Sequence, residues 1–135
     1  MGTPDGKSAR PLETPNPEAL QAFAARATEG PVVMLNLLKF KPDGGREMYA
    51  RYGAAVMPLL QKAGGRIVYA GEGTERLIGS TEWDSVLLVE YPTRQAFLDM
   101  VLSETYRAIQ HLRDESLERS VLYATDPGGG ATPSA

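Results

Sequence analysis

Apolar and polar positions change period several times along the chain, and the order of those changes outlines a fold. After an opening rich in Pro, Gly and small polar residues (1–15), Asn16 and Pro17 form an N-cap and first-turn pair, and Leu20, Phe23, Ala24 and Ala27 share one helical face. That leading helix is expected over 16–29, stopped by Gly30-Pro31. Val32 to Phe40 is apolar at nearly every position and bounded by Pro31 and by Pro42-Asp43-Gly44-Gly45, as a strand covered on both faces would be. From Arg46 to Ala63 the spacing turns helical through Met48, Tyr49, Tyr52, Val56, Leu59 and Leu60. Pro58 should kink that helix or leave a carbonyl unpaired, and Gly64-Gly65 should end it.

Arg66 to Gly71 reads as a second strand, Gly71 to Gly73 as a turn or bulge, and Arg76 to Gly79 as a short strand. Asp84 to Tyr91 is a further main strand, stopped by Pro92. Thr93 caps a helix that turns Ala96, Phe97, Met100 and Val101 inward, and Ser103 is a second cap ahead of a stripe of Tyr106, Ile109 and Leu112 or Arg113. Ser120 to Thr125 is the last strand, and 126–135 is a second Pro/Gly-rich stretch. Both end stretches lack the apolar surface to offset their ordering entropy and are expected as flexible tails. The domain between them is expected over 16–125.

After the leading helix the order is βαββαβ, the split-βαβ signature of an α+β ferredoxin-like fold with an antiparallel sheet. Right-handed crossovers put both helices on one face, and the other face should then be polar. It is not: Val33, Leu35 and Leu37 oppose Val32, Met34 and Leu38, and Val86 and Leu88 oppose Leu87 and Val89. The simplest second cover is the same face of another copy, giving a homodimer through sheet faces and a dimeric α/β barrel. The rival cover is the leading helix, laid on the open face of a monomer.

Composition removes several functions. The 135 residues suit one domain, and with no cysteine there is no disulfide, thiolate metal site or thiol nucleophile. Net charge is −3, and no basic stripe interleaves with aromatics, so no nucleic-acid partner is expected. No apolar run reaches the roughly 20 residues that span a bilayer, so no membrane partner is expected either. Neither an export signal nor a myristoylation pattern is legible at the N-terminus, which makes the cytoplasm the expected location. A single histidine without cysteine makes a metal site a poor expectation, and no cofactor is expected.

Few residues could carry chemistry. Asn36 sits mid-strand among apolar neighbours, where its amide must find partners: a helix, a dimer mate or a ligand. His111, the only histidine, is the natural general base or haem ligand, although a surface place late in a helix is the plainer expectation. His111 and Asn36 are therefore the catalytic candidates. Tyr49 and Tyr52, three apart, are core aromatics with hydroxyls at a rim, or else phenols lining a pocket between helix and sheet. Trp83-Asp84 reads as a turn that closes the core, or as a pocket wall with a carboxylate beside it. Arg113 and Arg107 are candidates for binding a carboxylate, against the usual solvated role of helix arginines. Glu90, in phase with Val86 and Leu88, is expected to be exposed near its strand end. The ligand-binding candidates are thus Asn36, Tyr49, Tyr52, Trp83, Asp84 and Arg113.

Asn36-Leu37-Leu38-Lys39-Phe40, the Tyr49/Tyr52 pair, Gly64-Gly65-Arg66, Trp83-Asp84 leading into Val89-Glu90-Tyr91-Pro92, and Ser103-Glu104-x-Tyr106 together resemble the domain-of-unknown-function 1330 family, over roughly residues 31–125. The resemblance implies membership of the dimeric α/β-barrel superfamily, which includes cofactor-free monooxygenases, muconolactone isomerases and haem-degrading relatives. It supports the dimer and implies no settled activity. Three functions stay open at this point. One is a cofactor-independent oxygenase- or isomerase-like enzyme acting on an aromatic or polyketide-like molecule. The others are a non-catalytic dimeric ligand-binding or stress-related module, and a haem-binding protein.

Overall fold

A computed structural model describes residues 14–128, so most of both expected tails lies outside the described residues. The elements run α1 (Pro17–Ala25), β1 (Val32–Phe40), α2 (Gly45–Lys62), β2 (Arg66–Glu72), β3 (Ser85–Tyr91), α3 (Arg94–Val101), α4 (Glu104–Ser116) and β4 (Leu117–Thr125). The three expected side-chain caps are in place: Asn16 accepts from Ala19 N–H, Thr93 from Ala96 N–H and Ser103 from Tyr106 N–H. α2 runs unbroken through Pro58, with Tyr52 and Leu60 buried on either side of it.

The strands form one antiparallel sheet in the order β2-β3-β1-β4, the arrangement of a ferredoxin-like α+β fold. One chain makes an open sheet, not a closed barrel. Along β1, Val32, Met34, Asn36 and Leu38 are buried, while Val33, Leu35 and Leu37 are only half-buried. The buried parity faces the helices and meets Tyr91, Val89 and Leu87 of β3 in register. With α2, α3 and α4 these positions enclose a core of Val32, Met34, Tyr52, Leu60, Val89, Tyr91, Met100 and Tyr106. Among the described residues no helix lies over the other parity. There Leu35 lies between Leu88 and Tyr123, and Leu37 between Val86 and Val121.

The leading helix does not cover that open face. Phe23 of α1 packs edge-on against Phe97 of α3 at 5.6 Å, and Phe97 in turn against Tyr91 at 5.1 Å, which keeps α1 in the helical layer. The helix ends at Ala25, short of the expected Glu29, for a local reason. The carbonyls of Ala27 and Glu29 accept the N–H groups of Gln95 and Arg94, first-turn donors of α3 that have no partner within their own helix. Asp126 fastens the same corner: its carboxylate accepts from Arg26 and from the buried Arg94, each at 2.9 Å. Those hydrogen bonds, Arg26's first and Arg94's second, hold the Asp126 carboxyl below its ordinary range. The Arg94 guanidinium also lies over the Phe23 ring at 5.3 Å.

Two other expectations change. Arg76 to Gly79 is not a strand; β2 pairs with β3 through Gly71 opposite Val86 and Glu72 opposite Ser85, and 76–79 lies in the loop between them. β4 begins at Leu117 instead of Ser120, because a register shift at Lys39/Phe40 lets Phe40 pair with Leu117 directly after α4.

Leu38 is 1% exposed at the centre of the helix-facing side. Leu38→Ala should lower unfolding free energy by about 3 kcal/mol through lost burial and a residual cavity, measured by urea unfolding followed by circular dichroism.

Candidate functional site

The helical layer brings polar groups to one region of the sheet. Asn36 points from mid-β1 into that layer and is 8% exposed. Its Nδ2 donates to the Met34 carbonyl at 3.4 Å, and its Oδ1 accepts from Arg113 Nη2 of α4 at 3.5 Å. Both contacts are long beside the usual N–H···O separation of about 2.9 Å, so the amide is held loosely and much of its bonding capacity is unused.

Phenols surround this pair. α2 supplies Tyr49 and Tyr52, whose ring centroids are 5.3 Å apart, and Tyr49 packs against Phe40 at 5.5 Å. The Tyr52 and Tyr106 hydroxyls share a hydrogen bond of 2.8 Å between α2 and α4, with their rings nearly perpendicular at 87°. Burial raises the pKa of Tyr52 well above the ordinary tyrosine range, and neighbouring Tyr106 adds to the effect. Tyr91, at the end of β3, is raised for the same first reason. Tyr49 is raised by burial too, and there the Arg113 guanidinium acts in the opposite direction. These three phenols are therefore neutral hydrogen-bond donors at neutral pH, not bases. With one guanidinium and one under-used amide, the cluster can orient a carbonyl or carboxylate.

The cluster gathers Asn36, Tyr49, Tyr52 and Arg113 of the expected residues and leaves out the others. The Asp84 carboxylate is committed to the Phe40 N–H at 2.8 Å, while its own N–H donates to the Leu38 carbonyl at 2.8 Å, so it locks the end of β1. Trp83 is half-buried in the β2–β3 loop under the Arg119 guanidinium, 5.8 Å from its ring centroid. His111 is exposed on α4, outside the cluster, and offers no inward imidazole on which a haem site could depend. Arg107 is exposed too, and Glu90 pairs with Arg66 at 2.8 Å. Tyr106 and Tyr91 are the members that sequence reasoning missed. Tyr106 reads as one more apolar position on its helix, and it lies 54 residues from its hydroxyl partner, beyond any spacing rule.

Two clefts open elsewhere. One of about 210 Å³ lies among Arg26, Gly30, Arg94 and Asp126, and one of about 320 Å³ among Leu59, Lys62, Asp99, Met100 and Ser103. Neither is lined by Asn36, Tyr49 or Arg113. Among the described residues no three His, Asp or Glu side chains converge as a metal site, and no helix is long and apolar enough to cross a membrane.

A family model described as a domain of unknown function, DUF1330, matches residues 44–126. The chain belongs to the DUF1330 family. The matched segment contains α2, α3 and α4, and thus every cluster residue except Asn36, which lies in β1 before it. A solved protein of unknown function from Rhodopseudomonas palustris is 34% identical to this DUF1330 chain, with a TM-score of 0.78 over 86% of this chain and 96% of that one. A dimeric ferredoxin-like protein of unknown function from Jannaschia is 13% identical, with a TM-score of 0.57 over 72% and 99% of the two chains. A candidate antibiotic biosynthesis monooxygenase from Caulobacter crescentus is also 13% identical, with a TM-score of 0.52 over 74% and 92%. The last two likenesses are of fold alone. No curated protein matches this DUF1330 chain.

The raised phenol pKa values carry a sign. Below the unfolded-state value of 10.0 both states keep their phenolic protons and the stabilisation is complete. Above it the unfolded chain ionises first, so stability falls as pH rises towards the folded-state values. The urea midpoint should hold steady up to about pH 9.5 and decline beyond it. Tyr52→Phe should reduce that alkaline slope, and an unchanged slope would contradict the assignment.

Proposed function

We propose that this DUF1330 protein is a homodimer, joined through the helix-free faces of its sheets into an α/β barrel, that binds a small aromatic carbonyl or carboxylate compound between helix and sheet in each subunit. Residues 16–125 form the single domain of that subunit. The dimer rests on the apolar open face, where Leu35, Leu37, Val86, Leu88 and Val121 would otherwise stay wet. The dimeric state of the Jannaschia protein supports the same reading.

The ligand site rests on one observation: a buried amide, Asn36, whose two partners both stand at the long limit of a hydrogen bond. A ligand oxygen inserted there would take a hydrogen bond from Asn36 Nδ2 and charge-assisted bonds from Arg113, while Tyr49 and Tyr52 supply aromatic walls. The cluster has donors in place and no side chain poised as a base, so binding is the function it supports best, ahead of proton-transfer catalysis. The monooxygenase-like neighbour keeps a cofactor-independent oxygenase or isomerase as the enzymatic form of this reading, with Asn36 orienting the substrate. The cytoplasm is its proposed location.

Sedimentation at micromolar concentration should give a dimer, and Leu35→Arg, which places a charge at the centre of the open face, should give a folded monomer. A wild-type monomer would overturn the assembly. For the ligand, a panel of benzoates, hydroxybenzoates and quinols should raise the melting temperature. Arg113→Ala and Asn36→Ala should each weaken binding of the best compound by about tenfold or more, as loss of a charge-assisted hydrogen bond does. No shift with any compound, or wild-type affinity in both variants, would overturn the site.

A further inference from the structure

The sequence motif Arg76-Leu77-Ile78-Gly79 has no role in the sheet or in the phenol cluster, yet the chain holds it in a definite shape. It sits in the loop between β2 and β3. The base of that loop is closed by Gly73 N–H donating to the Asp84 carbonyl at 3.0 Å. Arg76 braces the tip, donating to the Ser80 carbonyl at 3.4 Å and pairing with Glu82 at 3.9 Å. Gly79 turns the chain at φ +128°, a conformation that side-chain-bearing residues rarely adopt. Between these fixtures Leu77 and Ile78 are 90% and 97% exposed. Single exposed apolar residues are ordinary, but two adjacent ones, bare and presented on a braced tip, call for a cover.

The side of the sheet on which the loop lies identifies the cover. Lys39 of β1 and Arg119 of β4 are register partners and share the parity of Leu35, Leu37 and Val121, so they belong to the open face. Lys39 Nζ donates to the Glu82 carbonyl at 3.5 Å, and Arg119 donates to Thr81 Oγ1 at 2.8 Å. The returning half of the loop is therefore tied to the open-face side, and the Leu77-Ile78 tip extends from that anchored segment.

The size of the face points the same way. Four strands about 4.8 Å apart and about 23 to 30 Å long give a flat footprint of roughly 500 Å². A stable interface buries about 800 Å² per partner. Side-chain relief enlarges the footprint, and elements at the rim bring it closer to that size. The loop's own charge, Glu75, Glu82 and Asp84 against Arg76, disfavours an anionic membrane as the alternative cover.

We propose that Leu77 and Ile78 form a hook that packs onto the partner subunit when two open faces meet, so that each copy completes the margin of the other's interface. The inference rests on the face-to-face dimer and is tested so that the two can fail separately. The chain has no cysteine, so Ile78→Cys introduces a single thiol. Its reaction with an aromatic disulfide reagent should be about tenfold slower in the dimer than in the Ile78→Cys/Leu35→Arg monomer. Leu77→Ser should raise the dimer dissociation constant by about tenfold while leaving the far-ultraviolet circular dichroism unchanged. Equal thiol reactivity in a protein that still sediments as a dimer, or an unchanged dissociation constant in Leu77→Ser, would overturn the hook and leave the face pairing standing. A monomer in the Leu35-containing protein would remove both. Protection of Cys-substituted position 78 by phosphatidylserine vesicles, and not by dimerisation, would make a membrane the partner and overturn the proposal.

Discussion

Helices that lie on one side of a sheet can dry only that side, and in this protein β1 and β3 carry apolar side chains on both. The period-two geometry of a strand makes the two faces independent in sequence while they stay joined in structure. Satisfying the helix-facing parity with Val32, Met34 and Leu38 necessarily turns Leu35 and Leu37 the other way. Much else follows from where the remaining elements go. α1 docks on α3 through Phe23 and Phe97 and adds to the layer that is already covered. Among the described residues no helix lies on the other face, and the β2–β3 loop is tied to Lys39 and Arg119 on that side.

On the covered side, the same packing creates a chemical environment that no single element contains. Tyr49 and Tyr52 come from α2, Tyr106 and Arg113 from α4, Asn36 from β1 and Tyr91 from β3. Withdrawal from water makes each raised phenol a persistent donor, and the Arg113 guanidinium supplies positive charge at the Asn36 amide. The hydroxyl pair, Tyr52 with Tyr106, also joins α2 to α4 and gives the site a rigid wall.

The corner at Asp126 follows a different logic. One carboxylate takes a hydrogen bond from Arg26, beside the end of α1, and another from Arg94, at the start of α3. Arg94 is almost wholly buried, so its charge depends on that carboxylate and on the Phe23 ring face. The segment that leaves β4 thereby holds the leading helix in place.

Local chemistry made much of this legible in advance. Cap residues at Asn16, Thr93 and Ser103, stops at Gly64-Gly65 and Pro92, and the switch between periods of two and three to four are properties of short segments. They located the helices and strands, the βαββαβ order and the two-faced apolar strands. Sequence by itself also singled out Asn36, Tyr49, Tyr52 and Arg113, because polar groups on apolar faces stand out. Only the tertiary structure decided that these residues meet, that Tyr106 and Tyr91 join them, and that His111, Trp83 and Asp84 do not. It also decided that the leading helix docks on α3 instead of the open face and that Arg76 to Gly79 stays in the loop between β2 and β3. The physical reason is that a side chain's neighbours across a sheet or between helices are chosen by packing over tens of residues, whereas caps, turns and periodicity are set within a few.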